Sequence, residues 1–406
     1  MTTTMLLEHP IPVPLRGTEP DSFAYITITE RLPRIGRRVL AENAFAADVE
    51  ERLRALLDEL PLAEIRTLHD AAAPDAAAWA HYVTPHLEQN WLEVPWFFAE
   101  TYFYRRILEA TGYFQEGAGY YVDPFAPHKE QSLQGSRQQV RGLAQRVEQW
   151  REEPDRREVL RQALAVALWG NQGDLSMWPG GGEEMPSHDE DAAQAHVLVD
   201  DRDAAVVHLD SQESKGIRID IIEDNAGFEL IGDLALVDVL LASNWAASVV
   251  LDVKFHPTFV SDAVPRDVHD TIRYLAVADD EAVRAWGGRL QGYADDGRLA
   301  LRQHPFWTSP LEGWKMPSDL RQTLAEAALV ISKGDANYRR LLGDRHWTYT
   351  TPFAQVVSYF PAPLLALRTV KSNVAAGLDA MRVRELNEHD GRWVVSGEWG
   401  VMQFAP

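Results

Sequence analysis

The stretch that decides the fold is residues 217–241, which read IRIDIIEDNAGFELIGDLALVDVLL. Its first residues, Ile217 to Ile222, are mostly β-branched and predict a buried strand. Apolar residues predominate again from Phe228 to Leu241, and their spacing predicts a helix. Gly227 lies between the two and permits a tight turn, because glycine adopts backbone conformations closed to other residues. Residues 217–241 therefore predict one strand–turn–helix unit.

The same alternation continues on both sides of this unit. The other predicted strands are His196–Val199, Ser248–Phe255, Leu299–Gln303, Ala328–Ser332 and Leu364–Thr369. The other predicted helices are Asp203–Leu209, Asp267–Val277 and Asp319–Ala327. Repeated strand–helix–strand alternation predicts an α/β fold with a mainly parallel sheet and helices on both faces.

The chain before this region has a different pattern. Apolar residues at helical spacing predict helices at Ala47–Leu60, Ala76–Leu92, Val94–Ala110 and Arg137–Trp169. A break at Pro179–Gly182 leads into the acidic stretch Ser187–Asp191. The sequence therefore predicts a mostly helical N-terminal subdomain over 1–178, a flexible Gly-rich acidic insert over 179–195 and an α/β domain over 196–406.

The composition limits the partners of the protein. Its 406 residues carry a formal net charge of -22, which disfavours nucleic acid and anionic membranes because their phosphates repel such a surface. There are no cysteines, so disulfides, thiolate nucleophiles and Cys-based metal sites are excluded. The segment Met1–Pro14 lacks the pattern of a signal peptide, and no stretch has the length of a membrane span. We therefore expect a cytoplasmic protein, while the composition does not indicate its oligomeric state.

Oxygen-bearing side chains follow two of the predicted strands. Binding sites of parallel sheets lie at the carboxyl ends of the strands. Asp224 and Asn225 follow the strand Ile217–Ile222, and Asp262 comes after Ser248–Phe255. Such oxygen ligands suit hard cations such as Mg²⁺ and Mn²⁺. Each residue could instead cap the helix that follows it, so spacing alone leaves both interpretations open.

Cationic and hydroxyl-binding side chains follow two other predicted strands. The candidates for phosphate and substrate binding are Lys333, Asp335, Asn337 and Arg339 after Ala328–Ser332, and Arg368 and Lys371 after Leu364–Leu367. Lys and Arg hold phosphate, while Asp and Asn accept or donate to sugar hydroxyls. A turn with surface charges, or a salt bridge from Lys371, remains the alternative. Asn171, after the long predicted helix, either faces the site or belongs to a helix stop.

Taken together, the four strand ends predict a carboxylate–metal centre beside a cationic phosphate site. Phosphoryl transfer to water requires this combination. The sequence has no Walker loop, no dinucleotide-binding glycine fingerprint and no Gly-x-Ser-x-Gly nucleophile turn.

Several ordered motifs carry a resemblance to a known family. They are LWGNQGDLS at 168–176, DNAGFE at 224–229, VSD at 260–262, KGDANYR at 333–339 and RTVK at 368–371. The chain resembles the damage-control phosphatase family over nearly its whole length. It is most similar to the subfamily with an Arg-Thr-x-Lys motif, which is also described as acidic-residue (glutamate) carboxyl methyltransferases.

The resemblance implies a three-layer α/β/α fold with an N-terminal helical subdomain. It implies that Asp224, Asn225 and Asp262 are the metal ligands at the catalytic centre and that Lys371 binds phosphate. Residues 335–339 would contact the substrate, and Glu229 matches a position associated with a methyl donor. The implied activity is hydrolysis of small phosphorylated metabolites, phosphosugars such as fructose 1-phosphate among them, with Mn²⁺, Co²⁺, Ni²⁺ or Mg²⁺.

Two other functions stay open from the sequence. One is an S-adenosylmethionine-dependent protein carboxyl methyltransferase, although no glycine-rich loop of the kind that holds this methyl donor follows an early strand. The other is a non-catalytic metabolite-binding protein, which the presence of both the metal and the phosphate motifs disfavours. The expected activity is therefore that of a metal-dependent phosphoric monoester hydrolase.

Overall fold

A computed structural model of the protein describes residues 10–170, 195–212, 216–389 and 391–406. Its first part is helical. The helices are α1 (Phe23–Ile26), α2 (Leu32–Glu42), α3 (Ala47–Glu59), α4 (Ala76–Val83), α5 (Trp96–Thr111), α6 (Ala126–Gly135), α7 (Arg137–Glu152) and α8 (Arg156–Trp169). A π-helical turn, Thr27–Arg31, joins α1 to α2.

Strands and helices alternate in the second part, as the sequence predicts. The strands are β1 (Val197–Asp200), β2 (Arg218–Ile222), β3 (Ser248–Val253), β4 (Leu299–Gln303), β5 (Leu329–Lys333), β6 (Leu364–Thr369) and β7 (Gly400–Ala405). The helices are α9 (Arg202–Ser211), α10 (Phe228–Ala242), α11 (Pro265–Ala276), α12 (Glu281–Asp295), α13 (Ser318–Leu324), α14 (Asp335–Leu341), α15 (Phe353–Val356), α16 (Ala380–His389) and α17 (Trp393–Ser396).

The seven strands form one sheet in the order β1-β7-β6-β5-β2-β3-β4. Strands β6, β5, β2, β3 and β4 run parallel to one another. In the middle of the sheet Ile221 pairs with Leu251 of β3 and with Ile331 of β5. The predicted α/β fold with a mainly parallel sheet is therefore confirmed.

The last strand was not predicted from the sequence. Strand β7 runs antiparallel to β6, and β1 runs parallel to β7. Its pairing places Phe404 opposite Leu365 and Met402 opposite Leu367. These partners are distant in the sequence, and the short run Gly400–Ala405 carries no local signal strong enough to indicate them.

Apolar cores on both faces of the sheet make the structure three-layered. Neighbouring residues of a strand point to opposite faces, so Val330 and Ile331 of β5 enter different cores. Helices α2–α5 cover the face of Val330, and α7, α8 and α10–α12 cover the face of Ile331. Helices from residues 1–178 thus pack on both faces of the sheet. The predicted domain boundaries stay a prediction.

Two predicted helices are shorter than expected because of proline. The predicted helix Arg137–Trp169 is observed as two helices, α7 and α8, because Pro154 has no N–H for an intrahelical hydrogen bond. The side chain of Asp155 then accepts from the backbone N–H groups of the first turn of α8. The helix predicted over Ala76–Leu92 ends at Val83 in the structure, and a short 3₁₀ turn containing Pro85 follows it. Among the described helices, none combines the length and apolarity needed to cross a lipid bilayer.

The strand order creates a crevice at one position. From β2 the chain moves outward through β3 and β4, and then crosses to the other side of β2 to form β5 and β6. The carboxyl ends of β2 and β5 therefore mark a topological switch point, where connections leave in opposite directions. Ligands of open α/β sheets bind at such crevices.

Candidate active site

The loops after β2 and β3 are joined backbone to backbone. Asn225 and Asp262 form an isolated antiparallel bridge. Next to it, the N–H of Ala263 donates to the carbonyl of Asp224 over 2.8 Å. This pairing brings together the three side chains that the sequence predicts as metal ligands.

The amide of Asn225 links the acidic side chains of this group. Its Nδ2 donates to Oδ2 of Asp224 and to Oε2 of Glu229, both over 2.8 Å. Its Oδ1 accepts from the Ser261 hydroxyl. In this arrangement the amide nitrogen faces both carboxylates, so ligation of a metal through Oδ1 requires the amide to turn.

The loop that carries Asp262 has a strained backbone. Phe259 has φ 46° and Val260 has φ 70°, a left-handed conformation that is costly for a β-branched residue. The ring of Phe259 packs at 6.0 Å from that of Phe97 and 5.0 Å from that of Tyr104, both on α5. Helix α5 therefore holds the loop in the conformation that presents Asp262.

The carboxylates of Asp224 and Asp262 are both buried, and burial disfavours their charged forms. Burial raises the pKa of Asp262 to about 6. Burial also raises the pKa of Asp224 well above its ordinary value, and the negative charges of Asp262 and Glu229 add to this effect. The positive charges of Lys254 and Lys371 oppose it. A proton or a bound cation would relieve the repulsion between these acids.

The donor set fits a hard divalent cation. Two carboxylates and an amide supply the oxygen ligands that Mg²⁺ and Mn²⁺ prefer. The excess of negative charge among Asp224, Asp262 and Glu229 favours such an ion. No group of three or more His, Asp or Glu side chains with the spacing of a metal site is found in the described ranges. The candidate set differs from such groups in its composition, because Asn225 is its third member.

Lys333 forms ion pairs behind these carboxylates. Its Nζ lies 2.7 Å from Oδ1 of Asp233 and 3.5 Å from Oε1 of Glu229, and the side chain is 1% exposed. Although burial acts against the charged form, the two carboxylates raise the pKa of Lys333 above its ordinary value. The structure therefore places this predicted phosphate ligand in a buried ion-pair network.

Asn337 and Arg339 are also committed to protein contacts. The Nδ2 atom of Asn337 donates to the carbonyl oxygens of Glu223 and Lys333, each over 2.9 Å. The guanidinium of Arg339 pairs with Glu100 and Asp344. It also lies 3.6 Å above the ring of Trp96. No direct hydrogen bond from either side chain to Asp224, Asn225 or Asp262 is found in the described part of the chain, although Asn337 accepts from Lys254.

Arg368 organises the turn that carries Lys371. Its guanidinium pairs with Asp335 and donates to the carbonyls of Ser372 and Val374. Burial acts to raise the pKa of Asp335, but the charges of Arg368 and Arg339 outweigh it and hold this pKa below its ordinary value. Oδ1 of Asp335 also accepts from the backbone N–H of Lys371 over 3.3 Å.

Lys371 has a different environment from the other predicted cations. Its side chain is half-buried and extends along Gly397, where an added Cβ atom would lie 3.7 Å from Cε of the lysine. No ion pair of its ammonium group is found within the described part of the chain. Its charge acts on the carboxylate of Asp224. Lys371 is therefore available to bind an anion beside that carboxylate.

Asn171 lies outside the described residues. The last described residue before it, Gly170, packs against α10, because a Cβ atom there would lie 3.1 Å from Cα of Glu229. The sequence analysis did not select Lys254, Glu223 or Asp233 as site residues. All three are ionisable and almost completely buried, and burial together with the charge of Asp233 raises the pKa of Glu223 well above its ordinary value. The signal that could have found them is a charged residue in or beside an apolar strand or helix.

The fold and the site define an α/β protein with an acidic site at its topological switch point. The family model of the damage-control phosphatase ARMT1-like domain matches residues 27–386. Damage-control phosphatase ARMT1 of Danio rerio is 34% identical, with 95% of each chain covered. The protein of the same name from Mus musculus is 32% identical, with 97% of this chain and 98% of the relative covered. The chain therefore belongs to the damage-control phosphatase ARMT1-like family, which confirms the resemblance.

A solved structure was also compared with the chain. The crystal structure of a DUF89 family protein from Pyrococcus horikoshii has a TM-score of 0.48 and 13% sequence identity, covering 93% of this chain and 96% of that one.

Proposed function

We propose that the protein is a metal-dependent phosphatase that hydrolyses small phosphorylated metabolites, with phosphosugars such as fructose 1-phosphate as its substrates. The observation that carries the proposal is the arrangement at the switch point. Asp224 and Asp262 are buried there, and the charge of Lys371, for which no ion pair is found among the described residues, acts on Asp224. The names of the relatives, which describe damage-control phosphatases, support the same activity.

Asp224, Asn225 and Asp262 would hold the divalent cation. When bound, Mn²⁺, Co²⁺, Ni²⁺ or Mg²⁺ supplies positive charge for the phosphate oxygens and activates water for attack on phosphorus. Because the pKa values of Asp224 and Asp262 are raised, a cation at these carboxylates would compete with protons and bind more tightly as the pH rises. The bridge between Asn225 and Asp262 keeps the ligand-bearing loops together before binding.

Lys371 binds the phosphate group of the substrate. No carboxylate of the described ranges pairs with this ammonium, so it has no ion pair with them to break before it contacts an anion. The carboxylate of Asp335 accepts a hydrogen bond from the backbone N–H of Lys371, and the guanidinium of Arg368 donates to the same carboxylate. Arg339 and Lys333 keep the surrounding elements in place through their own ion pairs. One predicted cation, Lys371, thus remains for phosphate binding.

The test is phosphate release from fructose 1-phosphate, fructose 6-phosphate and other phosphosugars. Chelator-treated protein should be inactive and should recover with Mn²⁺, Co²⁺ or Mg²⁺. Asp224→Asn, which preserves the shape of the side chain, should lower the turnover at least about 100-fold. Asp279→Asn, at an exposed position away from the site, should leave turnover unchanged.

Methyl transfer is measured on the same preparation. Labelled methyl incorporation into protein carboxyl groups from S-adenosylmethionine should be negligible beside phosphate release. Robust methylation that depends on Asp224, without hydrolysis of any phosphate ester, would replace the proposal with the methyltransferase function. If metal-stripped protein hydrolyses phosphate esters at the full rate, the proposed function does not depend on a metal.

A further inference from the structure

Lys254 follows β3 directly, and its ammonium is buried where three segments meet. Its Nζ donates to the carbonyl of Glu223 at the end of β2 over 3.0 Å and to Oδ1 of Asn337 in α14 over 2.9 Å. It lies 3.3 Å from Oδ2 of Asp262. The side chain is 2% exposed, so water does not compete for these contacts.

The number of contacts matches the chemistry of the ammonium group. A lysine ammonium has three N–H donors, of which two form the hydrogen bonds to Glu223 and Asn337. The contact with Asp262 is an ion pair, and Oδ2 of Asp262 has no hydrogen-bond partner within the described part of the chain. Two of the acceptors are rigid, because the Glu223 carbonyl belongs to the backbone and the Asn337 amide is fixed by its own bonds to the carbonyls of Glu223 and Lys333. The carboxylate of Asp262 is the partner that can rotate.

Among the described residues, no other side chain is found to hydrogen-bond the Asp262 carboxylate. The neighbouring Ser261 hydroxyl donates to Asn225. The backbone bridge between Asn225 and Asp262 holds the main chain and leaves the side-chain torsions free. The orientation of the Asp262 carboxylate therefore depends on Lys254.

We propose that Lys254 is a positioning residue that orients the Asp262 carboxylate for the divalent cation, an inference that rests on the proposed metal-dependent function. A series of side-chain contacts then connects β5 to the cation through Asn337, Lys254 and Asp262. Partners of this kind behind a metal ligand typically change metal affinity by about 10–100-fold when they are removed. Lys254 acts through Asp262 and makes no contact with the reacting phosphate in this proposal.

If Lys254 acted only through its positive charge, its removal would have the opposite effect on metal affinity. A buried ammonium beside a divalent cation repels it, so removal of the charge alone would tighten metal binding. Two variants separate the two effects. Lys254→Met removes both the charge and the contacts, whereas Asn337→Leu loosens the lysine without changing any charge.

The experiment is calorimetric titration of the full-length, chelator-treated protein with Mn²⁺ in the absence of substrate. Both Lys254→Met and Asn337→Leu should bind Mn²⁺ about 10–100-fold more weakly than the wild type. Saturating Mn²⁺ should restore a large part of the turnover number, while the Michaelis constant for fructose 1-phosphate should change little in Lys254→Met. Thermal midpoints of the metal-free variants show whether each is folded.

Unchanged or tighter Mn²⁺ binding by folded Lys254→Met would overturn the proposal, and so would unchanged binding by Asn337→Leu if Lys254→Met does not fold. The wild type separates this failure from that of the proposed function. Mn²⁺ binding without phosphatase activity contradicts the function but leaves the positioning role measurable through affinity. No Mn²⁺ binding by the wild type contradicts both.

Discussion

The carboxylate of Asp224 occupies the space that a side chain at position 334 would need. A Cβ atom added to Gly334 would lie 2.1 Å from Cγ of Asp224. Gly334 also has φ +80°, a conformation that favours glycine. The two residues follow β2 and β5, so this close approach sets the width of the crevice at the switch point. Only glycine permits Asp224 to remain there.

Gly334→Ala should therefore remove activity as well as stability. The added methyl group must displace the Asp224 carboxylate, and phosphate release should fall at least about 100-fold if that residue holds the cation. Gly297→Ala is a matched control, because Gly297 also has φ +80° but has open space around its Cβ position. Both variants should lose about 1–3 kcal/mol because a positive φ strains an alanine backbone, most strongly at Gly334 with its ψ of 174°, and Gly297→Ala should keep full activity.

The measurements are thermal midpoints and phosphate release in saturating Mn²⁺. If Gly334→Ala retains wild-type turnover while its midpoint falls like that of Gly297→Ala, Asp224 does not need its observed position. The assignment of Asp224 to the centre of the site would then be wrong.

Lys371→Ala should weaken phosphate recognition and leave metal binding nearly unchanged. Loss of one charge-assisted contact costs about 1.5–3 kcal/mol, so the inhibition constant of inorganic phosphate should rise roughly 10- to 150-fold. Lys315→Ala is the control, because Lys315 is half-exposed and pairs with Glu312 on the surface. An unaltered phosphate inhibition constant in Lys371→Ala would remove this lysine from the site.

The arrangement of strand ends could be predicted because it depends on local patterns. A β-branched strand followed by Asp224, Asn225 and Gly227 indicates a turn at the end of a buried strand. Parallel strands place such turns at one edge of the sheet, which predicts the neighbourhood of Asp224 and Asp262. The antiparallel strand β7 could not be predicted in this way, because its partner is specified by pairing rather than by its own sequence.

The roles of the cations could not be predicted from spacing. Arg339 follows β5 within the motif that resembles a substrate-binding segment, yet its partner Glu100 lies 239 residues away in the chain. Lys333 pairs with Asp233 in the middle of α10, a helix that the sequence shows as mostly apolar. Because such ion pairs form between distant segments, a sequence indicates the charge but not its partner.

Lys333→Met should destabilise the protein rather than weaken phosphate binding. It leaves the buried carboxylates of Asp233 and Glu229 without their cation, which typically costs about 3–5 kcal/mol. The double variant Lys333→Met with Asp233→Asn should recover part of this loss, because one of the uncompensated charges is removed. Urea unfolding of the metal-free proteins measures both changes. A stable Lys333→Met variant with weakened phosphate inhibition would instead show that Lys333 binds the substrate.

Asp262→Asn should stabilise the metal-free protein at neutral pH. Burial raises the pKa of Asp262 to about 6, whereas the unfolded chain titrates near about 3.9. Below the unfolded value both states hold the proton and the residue imposes no penalty. As the pH rises from about 3.9 to about 6, the unfolded chain releases this proton while the folded state still holds it, so the stability of the metal-free protein falls across that range and the full penalty applies above it. At pH 7.5, chelator-treated Asp262→Asn should therefore be more stable than the wild type by on the order of 1–3 kcal/mol. The difference should shrink toward zero as the pH falls to about 4.

In excess Mn²⁺ the order of stability should reverse, since binding stabilises the wild type and the variant has lost a ligand. Asp279→Asn, an exposed substitution, should follow the wild type at every pH. If metal-free Asp262→Asn is the less stable protein at pH 7.5, the ion pair with Lys254 outweighs burial, and the pKa of Asp262 is not raised in the folded protein.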